Sequence, residues 1–235
     1  GSRELRDVNQ ALNVLESNII DLRESAAAMS ADEQKLALFY IERIDRMIGW
    51  AVRSNLSYVL TDCPQREKFG WLEVPHLMWP SLIAKYDLSR FGPKICRDIR
   101  DTQSPDGRIV NIAPTFIVDG YHFNGVTGIG YTIEWGAAGT LIPWYVYQTY
   151  GDEQCLADNY DCMKRFVDYI NSTTDKDLVP PDGGLGDWYD YGHGGPLGPS
   201  RFTPSQLTAM AVFHDCARRV ADAAHVLGKP ADEQA

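Results

Sequence analysis

Asp62, Arg66, Glu67 and Trp71 lie close together in the stretch Asp62-Cys63-Pro64-Gln65-Arg66-Glu67-Lys68-Phe69-Gly70-Trp71. A carboxylate accepts from hydroxyls, and a guanidinium donates in a fixed fork. An indole offers a flat apolar face. This combination can recognise a sugar, and the acid can move a proton. The same residues also suit a structural ion pair in a loop between helices, and the residue types alone leave both readings open. Two further groups carry similar chemistry. One is Glu134-Trp135-Gly136. The other is Asp187-Trp188-Tyr189-Asp190-Tyr191, which places two acids among three aromatics in a glycine-rich loop. A tight loop with aspartate caps and packed rings is the bland reading of the last group.

Other chemistries fit poorly. Gly183-Gly184-Leu185-Gly186 and Gly192-His193-Gly194-Gly195 lack the strand-turn-helix context of a phosphate loop. The chain has no G-x-S-x-G elbow and no HExxH motif. Asp182, Asp187 and Asp190 do not have the spacing of an EF-hand, and no Cys/His pattern has zinc spacing. No metal and no cofactor is expected. The five cysteines read as mostly small buried hydrophobes, with at least one free or paired outside the chain because five is odd. A net charge of −10 argues against a nucleic-acid or anionic-membrane partner, since both call for a basic surface. No apolar run approaches the ~20 residues of a membrane helix.

The elements that must position these residues are helical. Residues 5–25 carry an amphipathic pattern. Ser30-Ala31-Asp32-Glu33 has the form of a capping box. It opens a long helix over about 30–60, with Leu36, Phe39, Ile44, Met47, Ile48, Val52 and Leu56 toward a core. Residues 72–86 read as a helix with Pro75 in its first turn and a kink or restart at Pro80. Residues 91–100 read as another. Ser104-Pro105-Asp106-Gly107 is a turn. Residues 108–131 are β-branched, aromatic and glycine-rich, suited to short strands or a hairpin at the mouth of a site. Helices follow over 131–150 and 153–171, separated by Gly151 as C-terminal cap and Asp152 as N-cap. Thr203-Pro204-Ser205-Gln206 opens a last helix that stops at Gly228. The chain is therefore all-α with minor β in its loops. Its domains read as an N-terminal amphipathic or linker helix over 1–29 and a catalytic region over 30–235.

The segment DCPQREKFGW resembles the signature loop of the bacterial α-L-rhamnosidases, in which many members read DCPQRDERLGW. Arg100-Asp101-Thr102-Gln103-Ser104-Pro105-Asp106-Gly107, Glu134-Trp135-Gly136 and Gly186-Asp187-Trp188 agree with it. These are inverting glycoside hydrolases with an (α/α)6 toroid, and the resemblance runs from about residue 48 to residue 228. It implies that helical hairpins here form part of such a toroid. It implies Glu67 as general acid, with the one-residue deletion placed so that Lys68 and Phe69 stand for Arg and Leu. The other placement puts Lys68 where the acid belongs, and a lysine cannot do that work at neutral pH. Asp62 and Arg66 carry over as sugar-hydroxyl ligands and Trp71 as the wall of the sugar site. Glu73 stands one position early for the family's Asp. Trp135, Asp187 and Trp188 join the binding set. The family's base has no match in this chain, so Glu134, with Asp187 behind it, is the internal substitute. His76 reads as a packed histidine.

The expected function is inverting hydrolysis of terminal α-L-rhamnose from glycosides or glycans, and the partner is a rhamnose-containing carbohydrate. The alternative is a non-catalytic helical carbohydrate-binding or scaffold fragment. A lyase would favour a basic groove, which this acidic chain does not suggest. The helices number fewer than the twelve of a full toroid, which points to a fragment. Its open face is expected to form a homodimer. The parent enzyme would be periplasmic or secreted rather than cytoplasmic.

Overall fold

The computed structural model describes residues 25, 28–115, 130–181, 184, 186–188 and 201–233. The chain divides into two compact units, Gly1–Val52 and Arg53–Ala235. The amphipathic pattern over 5–25 lies almost wholly outside the described residues.

In the first unit a long helix, α1 (Ala31–Asn55), begins where its capping signal stands. The Glu33 amide donates to Ser30 Oγ at 3.4 Å, and the Ser30 amide donates to Glu33 Oε2 at 2.8 Å. Each satisfies an amide that the helix ladder leaves open. The expected core face is not buried. Leu36, Phe39, Ile44, Met47 and Ile48 are exposed, and only Val52 of that set is buried. Among the described residues this unit supplies no second element for them to pack on. The helix also stops at Asn55 rather than near 60. Thr61 turns the chain back, donating its amide to Asn55 O at 3.0 Å.

The second unit holds α2 (Glu73–Ile83), α3 (Phe91–Thr102), α4 (Ile133–Gly136), α5 (Ala138–Tyr150), α6 (Glu153–Thr173), α7 (Ser205–Val226) and α8 (Pro230–Glu233). Among the described residues there is no strand, only isolated bridges such as Trp71 with Ile112. The expected hairpin over 108–131 therefore fails in its described part; residues 116–129 lie outside it. Pro80 does not break α2, and Pro143 does not break α5. Pro80 sits on the exposed side of the helix. The helix expected over 131–150 is divided instead at Ala137, between α4 and α5. The last helix starts at Ser205, with Pro204 rather than Thr203 at its N-cap.

α5 is the centre of the unit. Gly139, Thr140, Leu141, Ile142, Trp144 and Val146 are buried on it, which is why its sequence is apolar all round. It lies beside α2 and α7, and it packs on α3 and α6. α6 in turn contacts α3 and α7. This gives two layers, with α2, α5 and α7 in one and α3 and α6 in the other. Leu156, Tyr160, Met163, Val220 and Ala223 seal the α6–α7 side. The return from α5 to α6 is short because Gly151 takes the left-handed conformation (φ 68°) and Asp152 Oδ1 caps the Cys155 amide at 2.9 Å. The segments that lead into α2, α4 and α7 carry the candidate site residues.

Candidate active site

The signature loop is folded on itself. The amides of Arg66 and Lys68 both donate to Cys63 O. The Arg66 guanidinium donates from Nε to Glu67 Oε2 at 2.8 Å and from its terminal nitrogen to Cys63 Sγ at 3.1 Å. Trp71 Nε1 donates to Glu67 Oε1 at 3.1 Å. Both oxygens of Glu67 are therefore held, and its side chain is only 6% exposed beneath an Arg66 that is 73% exposed. Burial works to raise the Glu67 pKa, but Arg66, its own amide and Trp71 outweigh it and hold the carboxyl below its ordinary value. Asp62 is exposed and takes the Cys63 thiol at 3.3 Å. Burial, then Asp62 and Glu67, push that thiol up.

Loop and helix entry are fastened together by Asn111, a residue the sequence reading passed over. It is 2% exposed. Asn111 O accepts the Leu72 amide at 2.9 Å, and Oδ1 accepts the Thr132 amide at 2.8 Å. Gly70 O accepts the Ala113 amide at 3.0 Å. A Cβ on Gly70 would lie 2.6 Å from Ala113 O, so the glycine before Trp71 is a condition of this approach. The signal for Asn111 was its place as one polar residue in the apolar run Ile109-Val110-Asn111-Ile112.

Glu73 opens α2 just behind the loop. Its Oε2 is buried with no hydrogen-bond partner among the described residues, and the same is true of Trp135 Nε1. Burial raises the Glu73 pKa to about 7, with Asp62 and Glu67 adding to the rise. Its own amide and the Trp135 indole N–H, close enough to favour the charge, oppose this. His76, one turn on, donates from Nε2 to the backbone carbonyl of Glu134 at 3.0 Å. Burial lowers its pKa to about 4, so it is neutral there. The lone histidine is packed, as the sequence suggested.

Glu134 sits in the short helix α4 and is 9% exposed. Thr208, in the first turn of α7, donates to its Oε1 at 3.3 Å, and its buried Oε2 has no partner among the described residues. Burial pushes its carboxyl up against the pull of its own amide, the Gly186 amide and Thr208. Gly184 lies so close that an added Cβ would stand 2.6 Å from Glu134 Oε1. Glu134 borders a cavity of about 200 Å³, lined also by Arg108, Tyr131, Thr132, Tyr169 and Gly184. Arg108 stacks over the Tyr131 ring at 4.3 Å. The cavity is smaller than the ~300–1,000 Å³ of a ligand pocket but has room for several waters.

The predicted set thus falls into three groups. Asp62, Arg66, Glu67 and Trp71 form one cluster. Glu73 and Trp135 adjoin it, and Glu134 follows through His76. Asp187 and Trp188 are exposed. Asp182 and Asp190, weighed for calcium, lie outside those residues. Asp62, Cys63 and Glu67 bring possible ligand atoms within 4.8 Å of one another. Arg66, bonded to both Cys63 and Glu67, brings a positive charge where a cation would sit.

Helices packed in pairs around α5, with acids gathered at the entries to α2 and α4, make a domain of helical hairpins. Residues 37–235 match the family described as the bacterial alpha-L-rhamnosidase six-hairpin glycosidase domain, and the chain belongs to that family. It is 35% identical over 192 residues to an alpha-L-rhamnosidase of Streptomyces avermitilis, covering 81% of this chain and 17% of that protein. It is 30% identical over 197 residues to one from Formosa agariphila, covering 83% and 20%. The chain therefore spans about a fifth of the length of these relatives. Among solved structures it is similar to the alpha-L-rhamnosidase from Dictyoglumus thermophilum, with TM-score 0.72, 28% identity and coverage of 83% and 20%. It is also similar to the Streptomyces avermitilis enzyme complexed with L-rhamnose, with TM-score 0.64, 33% identity and coverage of 77% and 16%. The fold is accordingly part of an (α/α)6 toroid.

Proposed function

We propose that this chain forms the substrate-binding and proton-transfer part of a site that hydrolyses terminal α-L-rhamnosides with inversion. The observation that carries the reading is the Arg66–Glu67–Trp71 cluster, in which a charged carboxylate, a guanidinium and an indole are pre-set on one loop. Pre-set dipoles and charges stabilise a transition state without reorganising. Asp62 and Arg66 receive sugar hydroxyls, and Trp71 and Trp135 wall the ring. Inversion needs an acid on the leaving oxygen and a base behind a water on the opposite face, roughly 6.5–9.5 Å apart. The resemblance nominates Glu67 for the acid. Glu134, with its buried open oxygen on a cavity that can hold water, is the proposed base. Asp187 and Trp188, exposed on the glycine-rich loop, are proposed as outer contacts to the substrate. The exposed apolar side chains of α1, among them Phe39, Ile44 and Trp50, support a homodimer. Light scattering that shows a monomer at high concentration would count against it.

The test is hydrolysis of an aryl α-L-rhamnoside by the chain beside Glu67→Gln, with product anomers followed by NMR. Turnover to the inverted sugar, lost in the variant, is the expected result. A protein that neither binds rhamnose by calorimetry nor turns over the glycoside would refute the reading.

A further inference from the structure

One face of α3 and one face of α6 meet in a fixed parallel register. Arg100 donates to Asp158 O at 2.8 Å and to Asn159 Oδ1 at 3.3 Å. Gln103 Nε2 donates to Cys162 O at 3.0 Å. Arg100 with Asn159, and Gln103 with Cys162, are each 59 positions apart. Cys96 and Cys155 stand at that same offset, one turn earlier on each helix. Residues four and seven positions on share a helix face. The register that sets the two polar contacts therefore also sets Cys96 against Cys155. Both are buried, at 2% and 5% exposed, and their thiols are close enough to hydrogen-bond to each other. Opposed Cα atoms on packed helices come within the roughly 4.4–6.8 Å that a disulfide spans.

Other pairings fit less well. Cys155 and Cys162 are separated by seven residues of one helix, a rise of about 10 Å. Cys63 is held in the signature loop by Asp62 and Arg66, and Cys216 is buried on α7 beside Thr140. A metal is a poorer reading of the group, because among the described residues the sulfurs of Cys96, Cys155 and Cys162 do not gather within 4.8 Å of one another.

We infer that Cys96 and Cys155 are a disulfide-forming pair, and that their oxidation staples α3 to α6. The bridge does not rest on the hydrolase reading. Cys155 is the attacking group. It sits in the first turn of α6, where the helix terminus favours a thiolate. Its thiol is held below the ordinary value, first by Cys96 and with Arg100 adding, against burial and the charges of Asp152 and Asp158. Burial, then Cys155, pushes the Cys96 thiol well up, so Cys96 keeps its proton until the second step. In the first step the Cys155 thiolate attacks a low-molecular-weight disulfide such as oxidised glutathione. The S–S bond of that molecule breaks, one thiolate leaves, and a mixed disulfide forms at Cys155. In the second step Cys96 gives its proton to solvent and attacks Cys155 Sγ, which releases the second thiolate. The protein loses two electrons and two protons, and the small disulfide becomes two thiols. Access comes at the helix end, which opens more readily than the middle.

The experiment equilibrates the chain in glutathione buffers from reducing to oxidising, blocks the remaining thiols in denaturant and maps the peptides without reductant. Five blocked thiols are expected at the reducing end. Three are expected at the oxidising end, with Cys96 joined to Cys155. Cys96→Ala and Cys155→Ala should each lose the bridge, and Cys162→Ala should keep it. The bridge closes a loop of about 60 residues and so constrains the unfolded chain. The oxidised chain should melt roughly 5–15 °C higher than the reduced one, and Cys155→Ala should abolish that gap. The wild-type map decides the pairing even where a variant fails to fold. Five blocked thiols at every ratio, a bridge from Cys96 to Cys162, a mixed disulfide at Cys155 that never resolves, or an oxidised chain that melts no higher would each overturn the proposal. Turnover of the aryl rhamnoside is read separately and bears only on the hydrolase reading.

Discussion

Glu67 and Glu134 carry the same side chain into opposite surroundings. Glu67 is made charged by neighbours one and four positions away in the chain. Glu134 is driven toward its neutral form by burial, on helices whose residues are 58 to 74 positions distant. The first environment is a local device that the loop builds alone. The second exists only when α2, α4 and α7 have packed. A site assembled this way has one carboxyl set by sequence and one set by fold, and perturbations should separate them.

The largest expected effect is on turnover. Glu134→Gln should lower kcat on every rhamnoside by about 10²-fold or more, whatever the leaving group, because a base acts on water. Steady-state kinetics on activated and unactivated substrates checks this, and a loss confined to one substrate would break the contrast. Asn111→Ala removes the side-chain half of the tie between the two regions and keeps the backbone carbonyl on the Leu72 amide. It leaves the buried Thr132 amide unpaired and should cost about 1–3 kcal/mol in denaturant unfolding. Gly184→Ala crowds Glu134 Oε1 and leaves the signature loop untouched. Here turnover should fall on the order of ten-fold, while rhamnose affinity by calorimetry holds. The smallest effect is Arg66→Gln on stability. Its ion pair is largely exposed on the arginine side, so the melting temperature should hardly move. Rhamnose binding should nonetheless weaken clearly.

The same divide governs what the sequence revealed. The capping box at Ser30 and Glu33, the Gly151–Asp152 junction and the Asp106-Gly107 turn were legible because each is closed by residues within a few positions. So was the Arg66–Glu67–Trp71 cluster. The core face expected on α1 was misread, since periodicity shows that a face is apolar and not that anything covers it. Pro80 looked like a kink or restart, yet α2 runs through it. Asn111 showed only as one polar residue in an apolar run, and Thr208 not at all, because their partners lie across the fold.

Glu73 and His76 stand one turn apart on α2 and depart from their ordinary pKa values in opposite senses. Glu73 rises from 4.5 to about 7, and His76 falls from 6.5 to about 4. Between about pH 4.5 and 6.5 the folded chain holds a proton on Glu73 that the unfolded chain lacks. The unfolded chain holds one on His76 that the folded chain lacks. Stability therefore falls with rising pH at Glu73 and climbs with it at His76, each by about 1.4 kcal/mol per pH unit at mid-window. The two slopes cancel. Glu73→Gln should expose the rising slope and His76→Gln the falling one. In the native chain the pair exchanges no net protons with the medium on unfolding. Its contribution to the calorimetric heat of unfolding should then be the same in acetate as in a cationic buffer of high ionisation enthalpy.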